Sequence, residues 1–284
     1  DSVDEEPVIV NNDDSLKYSD YLVSIISKYL KEKKDNFVFD IGAGKGNFLK
    51  SLQKQFPQIK SWALEPSKSF VKLEESKVAL KTFNCFFTPE FSQKIKERFD
   101  FISIIGVLEH VDNPISMLLS IKSILTNNGK VLIEVPNFEN NYYDLLCADH
   151  ISKYLPSTLE FIFFKTGFKV TERIINNRVP MQYLIEINSE CNVPIQFLNN
   201  STVNKAVVFL TKVLDEVTKI KNKKIYIYGQ GIIFAYIFHS KLIDTKDIKA
   251  IIDDNIYYVD TKFQGCIPVI SWDDAKIRVI ENDV

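Results

Sequence analysis

The chain has 284 residues, with Lys+Arg 35 against Asp+Glu 37 and a net charge of −2. That balance leaves no electrostatic case for a dedicated nucleic-acid binder. No apolar run reaches the ~20 residues of a membrane helix, and the acidic opening Asp1–Pro7 is unlike a signal peptide. The expectation is a cytoplasmic protein with no membrane or nucleic-acid partner. At ~150 residues per domain, the length suggests two domains. Cys85, Cys147, Cys191 and Cys266 stand apart, which fits reduced thiols rather than a disulfide framework, and no metal-type spacing occurs.

In chain order, Leu16–Lys31 carries apolar residues at helical spacing. Asn36–Ile41 predicts a buried strand and Asn47–Phe56 the helix after it. Strands are expected at Ser61–Glu65, Leu80–Phe87, Asp100–Gly106 and Lys130–Pro136, and helices at Ser67–Glu75 and Pro114–Leu125. A helix over Leu155–Thr166 stops at Gly167, a natural C-terminal cap. Phe168–Ile175 and Met181–Ile187 are joined by a short connection and should pair antiparallel. Strands alternating with helices argue for a mainly parallel sheet covered on both faces. Asn204–Lys221 predicts a bridging helix. The expected division is therefore 1–190, a linker and helix at 191–222, and a second domain at 223–284.

Five of the nine glycines fall in two clusters, each directly after a β-branched and aromatic run. In the first, Asp40-Ile41-Gly42-Ala43-Gly44-Lys45-Gly46, the glycines let backbone approach a ligand closely. The Asp before the turn suits a cationic ammonium better than a pyrophosphate, and the Lys-Ser/Thr of a Walker loop is missing. Glu65 ends the next strand, where an acid can hydrogen-bond ribose hydroxyls.

At this point the chain resembles the class I S-adenosylmethionine-dependent methyltransferases. Their acidic-residue and three-glycine motif is matched in full by Asp40, Gly42, Gly44 and Gly46. Phe99–Val111, with Leu108-Glu109-His110, looks like the family's fourth strand and its ending. Gly129–Pro136 looks like its fifth. The resemblance implies a Rossmann-like domain with a mostly parallel seven-stranded sheet and an antiparallel last strand. It implies S-adenosylmethionine as cofactor and S-adenosylhomocysteine as product. Asp40, Gly42, Ala43, Gly44 and Gly46 would hold the methionine end and Glu65 the ribose. Phe86 and Phe87 would lie near adenine, with Gly106 and Leu108 beside the cofactor.

A hydroxyl or carbon acceptor must lose a proton, and His is the usual base near neutral pH. Of the three histidines, His239 reads as structural and His110 as a loop-orienting residue beside the acceptor. His150, with Asp149, lies past the fifth strand, where open α/β sheets place their sites. The segment from Tyr142 and Tyr143 to Tyr154 is similar to the post-fifth-strand motif of sugar methyltransferases, especially C-methyltransferases of deoxysugar nucleotides. Here the motif reads Cys147-Ala148-Asp149-His150, without its Tyr and first His. The resemblance implies a small-molecule sugar acceptor bound near His110, Tyr142 and Tyr143, with His150 as base and Asp149 supporting it. Loss of the Tyr and His favours a hydroxyl oxygen over carbon, and a homodimer is compatible with this reading.

The second cluster, Tyr228-Gly229-Gln230-Gly231, opens another strand-turn-helix unit, and bulky Phe234 argues against NAD there. With Ala250–Asn255 and Gln264–Val269, it resembles the C-terminal Rossmann-like domain of the same sugar enzymes. Rival expectations are a non-catalytic cofactor-binding scaffold and an NAD-dependent sugar enzyme.

Overall fold

The computed structural model describes residues 8–11, 14–31, 36–176, 180–188, 201–220, 224–229, 232–253 and 258–282. Cys191, Gln230, Gly231, Asp254 and Asn255, together with the linker up to residue 200, lie outside them.

The chain opens with an unforeseen hairpin of β1 (Val8–Asn11) and β2 (Asp14–Lys17). This pairing takes residues 16 and 17 from the expected helix, so α1 runs Tyr18–Lys31. β3 (Phe37–Ile41), α2 (Asn47–Gln55), β4 (Lys60–Leu64), α3 (Phe70–Ser76) and β5 (Lys81–Phe83) follow. β5 is an edge strand shorter than expected. After it, the Asn84 side chain donates to the Glu65 carbonyl at 2.8 Å and draws the chain across the strand ends.

Next come α4 (Pro89–Lys94), β6 (Phe99–Ile105), α5 (Pro114–Ile124) and β7 (Leu125–Val135). α4 was not foreseen, although Thr88 before Pro89 is a sound start signal: its hydroxyl accepts from the Phe91 N–H at 3.2 Å. α6 (Pro156–Lys165), β8 (Phe168–Ile174) and β9 (Met181–Ile187) complete the first unit.

Its seven strands run in the order β5-β4-β3-β6-β7-β9-β8. All neighbours from β5 to β7 are parallel, and β9 is antiparallel to both β7 and β8. The two faces follow from period-2 alternation. On β3, Phe39 and Ile41 join one apolar cluster with Trp62, Phe99 and Phe163, while Val38 joins another with Leu22, Ile26 and Leu49. The chain moves from β3 outward to β5 and then returns to β6 on the other side of β3. That reversal opens a crevice at the carboxyl ends of β3 and β6.

The second unit comprises residues 142–148 and those from 201 onward. It holds α7 (Ser201–Lys219), β10 (Ile225–Tyr228), α8 (Ile232–His239), β11 (Ile248–Ile252), β12 (Lys262–Phe263), β13 (Ile267–Ile270) and α9 (Trp272–Asn282). β10, β11 and β13 are parallel, with β12 antiparallel at the edge. Phe234 is buried against Phe238 and Phe263, so its bulk fills this unit's core. His239 ends α8, exposed, in ring contact with Phe238. Among the described residues, no helix is long and apolar enough to cross a membrane.

Candidate active site

The first glycine cluster sits in the crevice. The N–H groups of Gly42 and Ala43 both donate to the Leu64 carbonyl, at 2.8 and 2.9 Å, tying the turn to β4. Gly42 has φ +81°, and a Cβ there would lie 2.3 Å from Val107 Cγ2, so backbone conformation and close approach both require glycine. At Gly44 (φ +54°) a Cβ would meet nothing within 4 Å, which leaves open space above the turn. Gly46 packs against Leu73 at the head of α2.

Glu65 is buried rather than an exposed strand-end charge. Its Oε2 accepts from Gly44 N and its Oε1 from Ser67 N, each at 2.8 Å. Each carboxylate oxygen keeps a second lone pair for a ligand hydroxyl. Asp40 is buried beneath the turn and accepts from the Ser103 hydroxyl at 2.7 Å. Burial pushes its carboxyl up to about 7, the nearby Glu65 charge adds to this, and the Ser103 hydrogen bond opposes it.

Two cavities meet at Gly42. One, of about 360 Å³, is lined by Gly42, Glu65, Phe86, Phe87, Gly106 and His110 among others. The other, of about 230 Å³, is lined by Tyr18, Asp40, Gly42, Ala43, Gly44 and Ile105 among others. Phe86 and Phe87 play different parts. Phe86 is 74% exposed at the mouth, while Phe87 packs on Phe39 and Phe91. Leu108 has its side chain in the core, and its carbonyl accepts from the Tyr154 hydroxyl at 3.2 Å. A larger cavity of about 520 Å³ lies at the opposite strand ends, against Asn36, Asp100 and Lys130, away from the glycine turn.

His110 and His150 stand edge to face, with ring centroids 4.7 Å apart. Asp149 is turned to His110. Its carbonyl lies 2.9 Å from His110 Nδ1, and its Oδ2 3.7 Å from the same nitrogen. The Asp149 side chain is 79% exposed, so this pairing is weak and orienting. Glu109, His110 and His150 each bring a nitrogen or carboxylate oxygen within 4.8 Å of the others, forming one polar cluster in which Glu109 is buried and His110 exposed. Tyr142 and Tyr143 belong to the second unit, where both contact the Phe209 ring. Sequence reasoning missed Tyr18, which lies in the helix before β3 and belongs to no motif.

The methyltransferase-domain family matches residues 16–173. The chain belongs to that family. This methyltransferase uses S-adenosylmethionine as methyl donor and yields S-adenosylhomocysteine. No curated protein sequence matches the chain. Among solved structures, it is similar to an S-adenosylmethionine-dependent methyltransferase from Clostridium acetobutylicum, at 12% identity and a TM-score of 0.49 over 61% of this chain and 93% of that one. It is also similar to the plantazolicin methyltransferase in complex with S-adenosylhomocysteine, at 14% identity and 0.48 over 60% and 82%. A third is a methyltransferase of calicheamicin biosynthesis, at 16% identity and 0.46 over 60% and 54%. At these scores the likenesses carry no argument about substrate.

The residues of the crevice fit the methyl donor. Asp40 offers a carboxylate to an ammonium group, Gly44 leaves open space, and Glu65 keeps lone pairs for hydroxyls. When bound, the donor supplies an electrophilic methyl group on a sulfonium. The protein's part is to align the acceptor and exclude water.

Proposed function

We propose that this methyltransferase acts on a sugar hydroxyl, in a nucleotide-sugar or a surface-glycan building block. His150 is the general base. It would take the proton of the acceptor hydroxyl, and the bound donor would supply the methyl group to that oxygen. Asp40, Ala43 and the glycines hold the methionine end and Glu65 the ribose, with adenine near Phe86 and Phe87. The reading is carried by one observation: the imidazole of His110 lines the same cavity as Glu65 and Gly106, and His150 stands against it. An imidazole can accept a proton from a hydroxyl, and here one lines the crevice with a second against it.

The sugar class rests on the likeness of residues 142–154 and 224–269 to sugar methyltransferases. On that reading Tyr142 and Tyr143 bind the acceptor. Oxygen is favoured over carbon because the Tyr and first His of the C-methylating motif are replaced by Cys147 and Asp149's neighbour Ala148. The test is transfer of labelled methyl to a panel of nucleotide-sugars and their keto forms. An O-methyl product lost on His150→Ala supports the proposal. A product methylated on carbon replaces it, and donor binding with no transfer to any sugar overturns the sugar reading.

A further inference from the structure

A row of polar side chains crosses the first unit's sheet beneath α1. Asp40, Ser103, Glu134 and Gln182 each stand two residues from Val38, Phe101, Leu132 and Leu184 in their strands, and so share the face those apolar residues occupy. Register sets Asp40 beside Ser103 and Glu134 beside Gln182. Asp40 and Ser103 serve the glycine turn. Glu134 and Gln182 are 4% and 0% exposed, and nothing in the chemistry above uses them.

Both converge on the Tyr18 hydroxyl. Tyr18 donates to Glu134 Oε2 at 2.5 Å and accepts from Gln182 Nε2 at 3.2 Å. Gln182 Nε2 also donates to that Glu134 oxygen, at 2.8 Å. Three elements, α1, β7 and β9, thus fix one aromatic residue, and it lines the 230 Å³ cavity together with Asp40. Burying a carboxylate is costly, and burial does push Glu134 up to about 7. Tying a helix to a sheet needs no such group. A carboxylate on its hydroxyl makes a phenol ring more electron-rich, and an electron-rich ring face attracts a cation.

We propose that Tyr18 is a cofactor-binding residue that grips the cationic end of the methyl donor, with Glu134 and Gln182 as the positioning residues that hold it there. The proposal rests on the donor's methionine end lying in the Asp40 cavity. An amino-acid end there meets both Asp40 and Tyr18, and its ammonium is the cation for the ring.

The test is calorimetric titration of the full chain with S-adenosylmethionine and S-adenosylhomocysteine, with melting temperatures measured in parallel. Tyr18→Leu should weaken S-adenosylmethionine and S-adenosylhomocysteine alike, at least ~10-fold, because both carry the ammonium whose contact with the ring is removed. Tyr18→Phe keeps the ring but loses the tether, and should weaken both ligands about 3-fold or more. Glu134→Gln keeps an acceptor for the hydroxyl but removes the charge, and should weaken both to a similar degree. In turnover, the donor KM should rise while kcat at saturating donor holds. A melting shift with the affinity for both ligands unchanged would reduce the trio to a structural tether and overturn the proposal. If Tyr18→Leu does not fold, Tyr18→Phe decides on the same criteria. If the unsubstituted chain binds neither ligand, the proposal and the donor-site reading fall together, an outcome distinct from normal binding that ignores Tyr18.

Discussion

Glu65 reaches back from the end of β4 to the N–H of Gly44, at 2.8 Å, so one carboxylate shapes the glycine turn it would share a ligand with. Its other oxygen holds Ser67 N at 2.8 Å. A charged hydrogen-bond acceptor is worth roughly 1.5–3 kcal/mol. Glu65→Ala should therefore weaken S-adenosylmethionine by about 10–100-fold. It should also lower the melting temperature, because two backbone donors lose their partner. Calorimetry and thermal denaturation read the two effects separately. An unchanged affinity removes Glu65 from the site.

The neighbouring glycines should respond differently. At Gly42 a Cβ clashes with Val107 and the backbone is left-handed, a conformation costing a non-glycine residue roughly 1–2 kcal/mol. Gly42→Ala should show first as lost stability. Gly44→Ala carries a similar left-handed backbone cost but meets no protein atom within 4 Å, so it adds no clash. It should stay folded and instead lose donor affinity about 10-fold, because the added methyl projects into the ligand's space. Equal affinity for Gly44→Ala and the parent would place the donor elsewhere.

For His150→Ala, donor affinity should be kept while turnover falls at least ~100-fold. His110→Ala should affect both, since His110 lines the cavity shared with Glu65. Single-turnover transfer of labelled methyl, with affinity measured alongside, distinguishes them. A fully active His150→Ala moves the base elsewhere.

The two phenylalanines of the mouth also separate. Phe86→Ala should leave the melting temperature in place and weaken donor binding, because Phe86 is largely exposed at the cavity. Phe87→Ala removes ring contacts to Phe39 and Phe91 and should cost about 3 kcal/mol of stability in denaturant unfolding.

Asp40 and Glu134 are both raised to about 7 by burial, from about 4 in the unfolded chain. Between about pH 4 and 7 the folded protein therefore holds more protons than the unfolded one. The stability these groups give is full below pH 4 and is lost as pH rises through 7. The slope of melting temperature against pH in this window should flatten in Asp40→Asn. A cation beside Asp40 favours its ionised form, so donor binding should release protons near pH 6. Calorimetry in buffers of different ionisation enthalpy measures that release, and binding without any would separate the cation from Asp40.

The order of elements, the parallel sheet and the glycine turn are legible in the chain because they are written in local signals. Period-2 apolar runs, the left-handed positions of Gly42 and Gly44, and an acid ending the next strand act within a few residues of chain. Tertiary structure alone decided which face each polar residue occupies and what it meets there. Asp149 precedes His150 in sequence, yet it turns to His110, thirty-nine positions away. The expected strand through Phe87 breaks after Phe83 because an edge strand gains little from pairing and Asn84 finds the Glu65 carbonyl instead. Tyr18, Glu134 and Gln182 share no motif and are separated by more than a hundred residues at the widest. They meet because α1 packs across the sheet above two neighbouring strands, a contact set by the burial of Leu22 and Ile26 rather than by any pattern around Tyr18 itself.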